Sequence, residues 1–252
     1  MSSDLELAER AARAAGDVLL DYYGREPEGV GRKSSDTDLV SDADREAERA
    51  LRELLAAERP GDGLLAEEGS HSEAESGRRW IVDPLDGTVN FLYGFPAWAV
   101  SIALEDGDGL ALGVVHSPVH AETFCAQRDR GARLGDRRLA VRPRTELARA
   151  MVATGFSYEA KRRAEQADVL RRLLPRARDI RRAGAAALDL AWVAAGRLDA
   201  FYERGLNAWD LAAGHLLVEE AGGVVTPLGG DPPGVLAASS RGLRDELAAL
   251  VA

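Results

Sequence analysis

Residues 80–88 read Trp-Ile-Val-Asp-Pro-Leu-Asp-Gly-Thr. The apolar run Trp80, Ile81, Val82 predicts a buried strand. At its end Asp83 and Asp86 straddle Pro84, and Gly87 lets the backbone turn. Two carboxylates three residues apart on a stiff turn can hold hard divalent cations through oxygen. The Gly87 and Thr88 N–H groups are then placed to meet an anion, above all if a helix starts there. Taken alone, Asp-Pro and Asp-Gly are ordinary surface-turn dipeptides. The stretch gains its meaning from the order strand, carboxylates, glycine, hydroxyl, and it needs further ligands from elsewhere in the chain.

The rest of the composition sets bounds on that reading. A chain of 252 residues with 46% hydrophobic and 29% charged residues has ample material for a core. Its net charge of −10 and the lack of a long basic run argue against a nucleic-acid partner. Acidity does not exclude an anionic substrate, because a bound metal reverses the local field. The single cysteine, Cys125, rules out an intramolecular disulfide and falls in an alternating stretch, which predicts a buried strand position. No signal-peptide pattern opens the chain and no apolar run is long enough to span a bilayer, so a cytoplasmic protein without membrane contact is expected.

Periodicity predicts amphipathic helices over 3–24 and 42–59, separated by a Gly/Ser-rich, charged loop at 25–41. Strands are expected at 63–66, 80–83, 98–104, 111–116 and 122–127, with a hairpin turn at Glu105–Gly109. Beyond about residue 143 helices near 161–173, 184–195, 208–221 and 240–251 alternate with short strands near 178–181, 198–202, 223–225 and 235–237. The expectation is an α/β (α+β) chain forming one domain over 1–252, built of two packed halves, 1–142 and 143–252.

A second acidic site lies at 209–223, Trp-Asp-Leu-Ala-Ala-Gly-His-Leu-Leu-Val-Glu-Glu-Ala-Gly-Gly. Here Asp210 occupies the first turn of a helix that Gly222 and Gly223 end, a place that also suits a plain dipole-compensating carboxylate. Together, Trp80–Thr88 and Trp209–Gly223 resemble the two signatures of the inositol monophosphatase family, within the lithium-sensitive, magnesium-dependent phosphatase superfamily. Further matches follow in family order. Ala66-Glu67-Glu68 resembles a Gly-Glu-Glu metal segment, and Asp38-Leu39-Val40-Ser41-Asp42-Ala43-Asp44 an early Asp-x-Val-[Thr/Ser]-x-x-Asp loop. Gly184-Ala185-Ala186-Ala187, followed by Ala200-Phe201-Tyr202-Glu203, resembles the substrate-facing section.

The resemblance implies a layered αβαβα sandwich of the inositol monophosphatase and fructose-1,6-bisphosphatase type, usually a homodimer, using two or three Mg2+ per site. It makes Glu67, Asp83, Asp86, Asp210 and the Leu85 carbonyl the metal ligands. It assigns phosphate binding to the Gly87 and Thr88 amides, orientation of Thr88 to Asp44, and substrate hydroxyls to Glu203 beside Gly184, Ala185 and Ala186. Asp86 and Asp210 would also face the substrate. Catalysis would fall to Glu67 and Thr88, which position water, with Asp44 behind them. Lys33 and Glu68 are further candidates. Asp44 also fits a capping box with Ser41, and the two roles are compatible. Ala66 and Ala185 stand where the family often has Gly and Ser or Thr; the second removes a hydroxyl near the substrate.

The implied reaction is hydrolysis of a small phosphate monoester, inositol 1-phosphate first, by metal-activated water. A haloacid-dehalogenase-type phosphatase would need its two aspartates two residues apart, and Pro84 with a spacing of three excludes it. Fructose 1,6-bisphosphate, histidinol phosphate and 3′-phosphoadenosine substrates remain alternatives, as does a non-catalytic dimeric regulatory module. His71, His116, His120 and His215 show no metal-ligand spacing.

Overall fold

The computed structural model describes residues 3–25, 31–32, 39–40, 42–230 and 233–251. Lys33, Asp38 and Ser41 lie outside the described residues. The order of elements is α1 (Asp4–Tyr22), β1 (Gly31–Arg32), β2 (Leu39–Val40), α2 (Asp42–Glu58), β3 (Gly63–Ala66), β4 (His71–Ser72), β5 (Arg79–Asp86) and α3 (Thr88–Leu92). The antiparallel strands β6 (Ala99–Asp106), β7 (Gly109–Ser117), β8 (Glu122–Gln127), β9 (Gly131–Leu134) and β10 (Arg137–Arg138) follow. After a 3-10 turn at Leu147–Arg149 come β11 (Met151–Thr154), α4 (Ala160–Leu173), β12 (Asp179–Arg181), α5 (Ala186–Ala194), β13 (Ala200–Arg204), α6 (Ala208–Glu220), β14 (Val224–Leu228), β15 (Gly234–Ala238) and α7 (Arg241–Val251).

Two sheets result. The larger runs β10-β9-β8-β7-β6-β5-β3-β4 and the smaller β12-β11-β13-β15-β14. Alternating side chains on each strand sort the layers, as a period of two requires. On β5, Trp80 and Val82 pack toward α1 and α2, while Ile81 packs toward α5 and α6. On β15, Val235 and Ala237 face the same α5–α6 layer, whereas Leu236 and Ala238 face α7. The order of layers is therefore helix, sheet, helix, sheet, helix: the expected αβαβα sandwich.

Small residues set the spacing. The buried face of α1 is Leu7, Ala8, Ala11, Ala12, Ala15 and Leu19, which lets the helix lie close to α2 and the sheet. A Cβ on Gly113 of β7 would stand 2.8 Å from the Ala213 carbonyl of α6, so this glycine permits the close approach of helix to sheet. Cys125 is buried on β8, and burial pushes its thiol up to about 12, where it stays protonated. No described helix is long and apolar enough to cross a membrane.

Several boundaries differ from the periodicity. The strand expected at 80–83 continues to Asp86, and α5 begins at Ala186 because Gly184 turns the chain at φ +94°. Strand β11, which pairs in parallel with both β12 and β13, gave no alternating signal. Helix α3 and strands β9 and β10 are likewise additions from the structure.

Candidate active site

The parallel register of β3 and β5 aligns Ala66 with Val82, so the next residues, Glu67 just past β3 and Asp83 on β5, stand side by side. Asp86 reaches the same place by a different device. On an even strand, residues three apart point to opposite faces. Against β6, however, Asp83 pairs with Ser101 and Asp86 with Ala99, three steps against two, so the strand carries a β-bulge. The extra residue turns Asp86 back to the side of Asp83. Pro84, which has no N–H to leave unpaired, fits the irregular ladder. Asp83 Oδ1 accepts the Leu85 N–H at 2.9 Å and stiffens the bulge. Leu85 buries its side chain against the α1–α2 layer, and its carbonyl accepts from the Thr88 hydroxyl at 3.2 Å.

Both oxygens of Asp86 are engaged by the start of α5: Oδ1 accepts Ala186 N–H at 3.0 Å, and Oδ2 accepts Ala187 N–H at 2.8 Å and Leu188 N–H at 3.4 Å. A carboxylate from the first sheet thus meets the amides and dipole at the N-terminus of a helix 100 residues away. Gly87 follows at φ +93°, and any Cβ there would press on the Ala97 carbonyl at 2.9 Å and Ala185 Cβ at 3.2 Å. Thr88 then opens α3, and its hydroxyl lies 3.2 Å from Asp44 Oδ1, a fully buried carboxylate on α2.

The second half of the chain closes the cavity. Asp210 is the third residue of α6 and accepts the Asn207 N–H at 2.6 Å in a capping box. Capping and cavity lining coincide in this residue. Glu203 extends from β13 over Gly155, where a Cβ would lie only 1.9 Å from its Oε2. The Arg182 guanidinium stands 5.9 Å from the centre of the Phe156 ring.

The cavity measures about 540 Å³, and its walls include Glu67, Asp83, Asp86, Glu203 and Asp210 with the backbone of Leu85, Gly87 and Thr88. Burial, then repulsion from Glu67, Asp86 and Asp210, holds the Asp83 carboxyl well above its ordinary range. Asp210 is raised well above as well, by burial and by Glu67. Asp86 is pushed up to about 7 by burial, even though three amides pull it down. Glu203 rises to about 8 through burial, with Arg182 opposing and Asp86 adding to the rise.

Burial and mutual repulsion resist the ionisation of these crowded carboxyls, and their donors are all hard oxygens. That chemistry fits divalent cations of the magnesium type. Among the described residues, no three His, Cys, Asp or Glu side chains stand close enough to hold an ion as they are. Asp83, Asp86 and Asp210 are instead turned onto backbone N–H groups.

Of the residues singled out by sequence, Glu67, Asp83, Leu85, Asp86, Gly87, Thr88, Gly184, Ala186, Glu203 and Asp210 line the one cavity. Asp44 stands behind it, in contact with Thr88. Ala185 is 1% exposed and packs under Gly87 outside the wall, and the Ala186 amide is occupied by Asp86. Glu68 lines a different hollow, beside the C-terminal half of α2. Sequence reasoning missed Phe156, Tyr158, Arg162 and Arg182 of the cavity wall, which come from loops and helix ends without a motif, and Gly155, which lies against Glu203.

The whole chain, residues 1–252, matches the model of the inositol monophosphatase family. It is 44% identical over 222 residues to an inositol-1-monophosphatase of Caulobacter vibrioides, covering 86% of this chain and 87% of the relative. Over 241 residues it is 44% identical to the Nus factor SuhB of Pseudomonas aeruginosa, covering 91% and 87%. Among solved structures, the extragenic suppressor protein suhB of Bartonella henselae superposes with a TM-score of 0.92 at 40% identity, over 99% of this chain and 98% of that one. These likenesses have one meaning: the chain belongs to the inositol monophosphatase family.

Proposed function

We propose that the protein hydrolyses a small phosphate monoester with Mg2+, inositol 1-phosphate being the preferred substrate. The observation that carries this reading is the meeting of Glu67, Asp83, Asp86 and Asp210, from three separate segments, beside the Gly87–Thr88 turn. The name of the Caulobacter relative supports the substrate. Glu67, Asp83, Asp86, Asp210 and the Leu85 carbonyl would hold two or three ions. When bound, such ions supply positive charge for phosphoryl transfer and make water more acidic.

The chain's own groups do the rest. The Thr88 hydroxyl has two acceptors, Asp44 Oδ1 and the Leu85 carbonyl, each at 3.2 Å. Its hydrogen is committed to them, so its oxygen is left to accept a hydrogen bond from the attacking water. Glu67 offers a second acceptor for that water. The water oxygen bonds to phosphorus as the ester P–O bond breaks; one water proton is given up and the leaving alkoxide takes one to become an alcohol. The Gly87 and Thr88 N–H groups would hold the phosphate oxygens, and Glu203 would accept from substrate hydroxyls. We further take the active form to be a cytoplasmic homodimer; Tyr93 and Phe95, both exposed just past α3, are apolar surface that such an assembly would cover.

The test is phosphate release with and without Mg2+ from inositol 1-phosphate, fructose 1,6-bisphosphate, histidinol phosphate and adenosine 3′,5′-bisphosphate. Preference for inositol 1-phosphate is the expected result, and release from none of the four overturns the reading. The Nus factor name of the Pseudomonas relative favours a second reading, a regulatory binding module. On that reading a folded protein releases no phosphate from any ester.

A further inference from the structure

Helix α2 presents three side chains four residues apart on one face: Asp44, Glu48 and Arg52. Each reaches a piece of the active-site framework. Asp44 accepts from the Thr88 hydroxyl at 3.2 Å. Glu48, only 5% exposed, accepts the Glu68 N–H on Oε2 at 2.8 Å and the Ser70 hydroxyl on Oε1 at 2.5 Å. Arg52 Nη1 stands 3.5 Å from that same Ser70 oxygen.

The turn that Glu48 holds is the one that carries Glu67. Strand β3 ends at Ala66, whose N–H donates to the Ser70 carbonyl at 3.0 Å, and Gly69 N–H returns to the Ala66 carbonyl at 3.4 Å. The Glu67 amide is tied to β5 by a long bond, 3.3 Å to the Val82 carbonyl. The direction in which Glu67 leaves the sheet therefore depends on residues 68–70. Burying a carboxylate costs free energy unless both oxygens find donors. Glu48 finds two, both in this turn.

We propose that Glu48 is a positioning residue for Glu67. Through one rigid helix, Asp44 and Glu48 place the Thr88 hydroxyl and the Glu67 turn at a common spacing; their Cα levels differ by about 6 Å of helix rise. The inference rests on the reading that Glu67 holds a divalent ion.

The test is Mg2+ binding by calorimetry, with thermal unfolding of the metal-free protein measured beside it, on Glu48→Ala, Glu48→Asp and Glu48→Gln. Gln keeps an oxygen for the Glu68 N–H and can donate to a reoriented Ser70 hydroxyl, so its affinity should stay within about threefold of wild type. Ala should weaken Mg2+ binding about 10-fold or more, as loss of a group supporting a ligand does. Asp, one methylene short, cannot serve both donors and should fall between; it decides the matter if Ala does not fold. At saturating Mg2+ the substrate KM should be unchanged. Wild-type Mg2+ affinity in both Ala and Asp, with only the unfolding temperature lowered, overturns the proposal. If wild type itself binds no Mg2+, the functional reading has failed, and this inference fails with it.

Discussion

The two ends of strand β5 hold acidic residues in opposite circumstances. Just before the strand, Arg78 donates to Asp62 at 2.6 Å and to Asp4 at 2.8 Å, and Arg59 adds a second guanidinium on Asp4. Asp62 also receives Ser76 at 2.8 Å and the Trp80 indole N–H at 3.0 Å. Burial alone would raise Asp62, but the donations from Arg78, Ser76 and Trp80 outweigh it and hold the carboxyl below its ordinary value. At the far end, Asp83 and Asp86 meet Glu67 and Asp210, and every one of the shifted carboxylates goes up. The residue type is the same along some 20 Å of strand (about 3.3 Å per residue); what differs is whether donated hydrogens or burial and like charge dominate. Where donated hydrogens dominate, the acid is structural. Where burial and repulsion dominate, the raised carboxyls mark a candidate functional centre.

The largest break in this contrast comes from removing one of the crowded carboxyls. Asp83→Asn should lower Mg2+-dependent phosphate release at least ~100-fold, beyond what loss of a supporting group brings. The metal-free variant should melt no lower than wild type, because one of several repelling carboxylates is gone. Unchanged turnover would remove Asp83 from the site.

At the neutralised end the effect should fall on stability alone. Arg78→Met leaves Asp62, whose side chain is 4% exposed, without its main partner, at a cost of about 2 kcal/mol in denaturant unfolding with kcat and KM unchanged. The pH dependence has a definite sign. A carboxylate depressed in the folded state contributes stability above its unfolded value and loses that contribution as pH falls through the folded one. The gap between wild type and variant should thus hold from about pH 7 to about pH 5 and shrink below the ordinary Asp value of 3.8. A gap that does not shrink in acid would mean that Arg78 acts through packing.

The order of residues 80–88 and the first-turn place of Asp210 made most of the carboxylate cluster legible. What could not be read is how Asp86 joins it. A spacing of three on a strand predicts opposite faces, and only the register against β6 reveals the bulge. Strand β11 escaped notice because four residues flanked by a 3-10 turn offer no period, and its pairing is dictated by distant neighbours. The side chain of Ala185 packs beneath Gly87, a placement that its position in a motif does not announce. Glu48, one turn beyond Asp44, was available to a reader of helix faces, but its partner turn is not near in sequence.

Glu203 stands between the two ends of the contrast: one guanidinium, Arg182, lowers its carboxyl while burial and Asp86 raise it to about 8. Gly155→Ala tests whether this intermediate acid meets the substrate's hydroxyls. The new methyl would stand 1.9 Å from Oε2, and since a carboxylate at the end of a side chain can move, the enzyme should fold and Glu203 should shift. An acceptor used equally in ground and transition states changes KM and spares kcat. Losing part of this hydrogen bond predicts a rise of up to about 10-fold in KM for inositol 1-phosphate. A phosphate ester without a polyol, such as p-nitrophenyl phosphate, should be hydrolysed as by wild type. In a Glu203→Gln background the added methyl should cost much less, because contacting residues do not contribute additively. An equal KM rise for both esters would place Glu203 at the phosphate instead, and with it move the boundary between the metal end and the sugar end of the cavity.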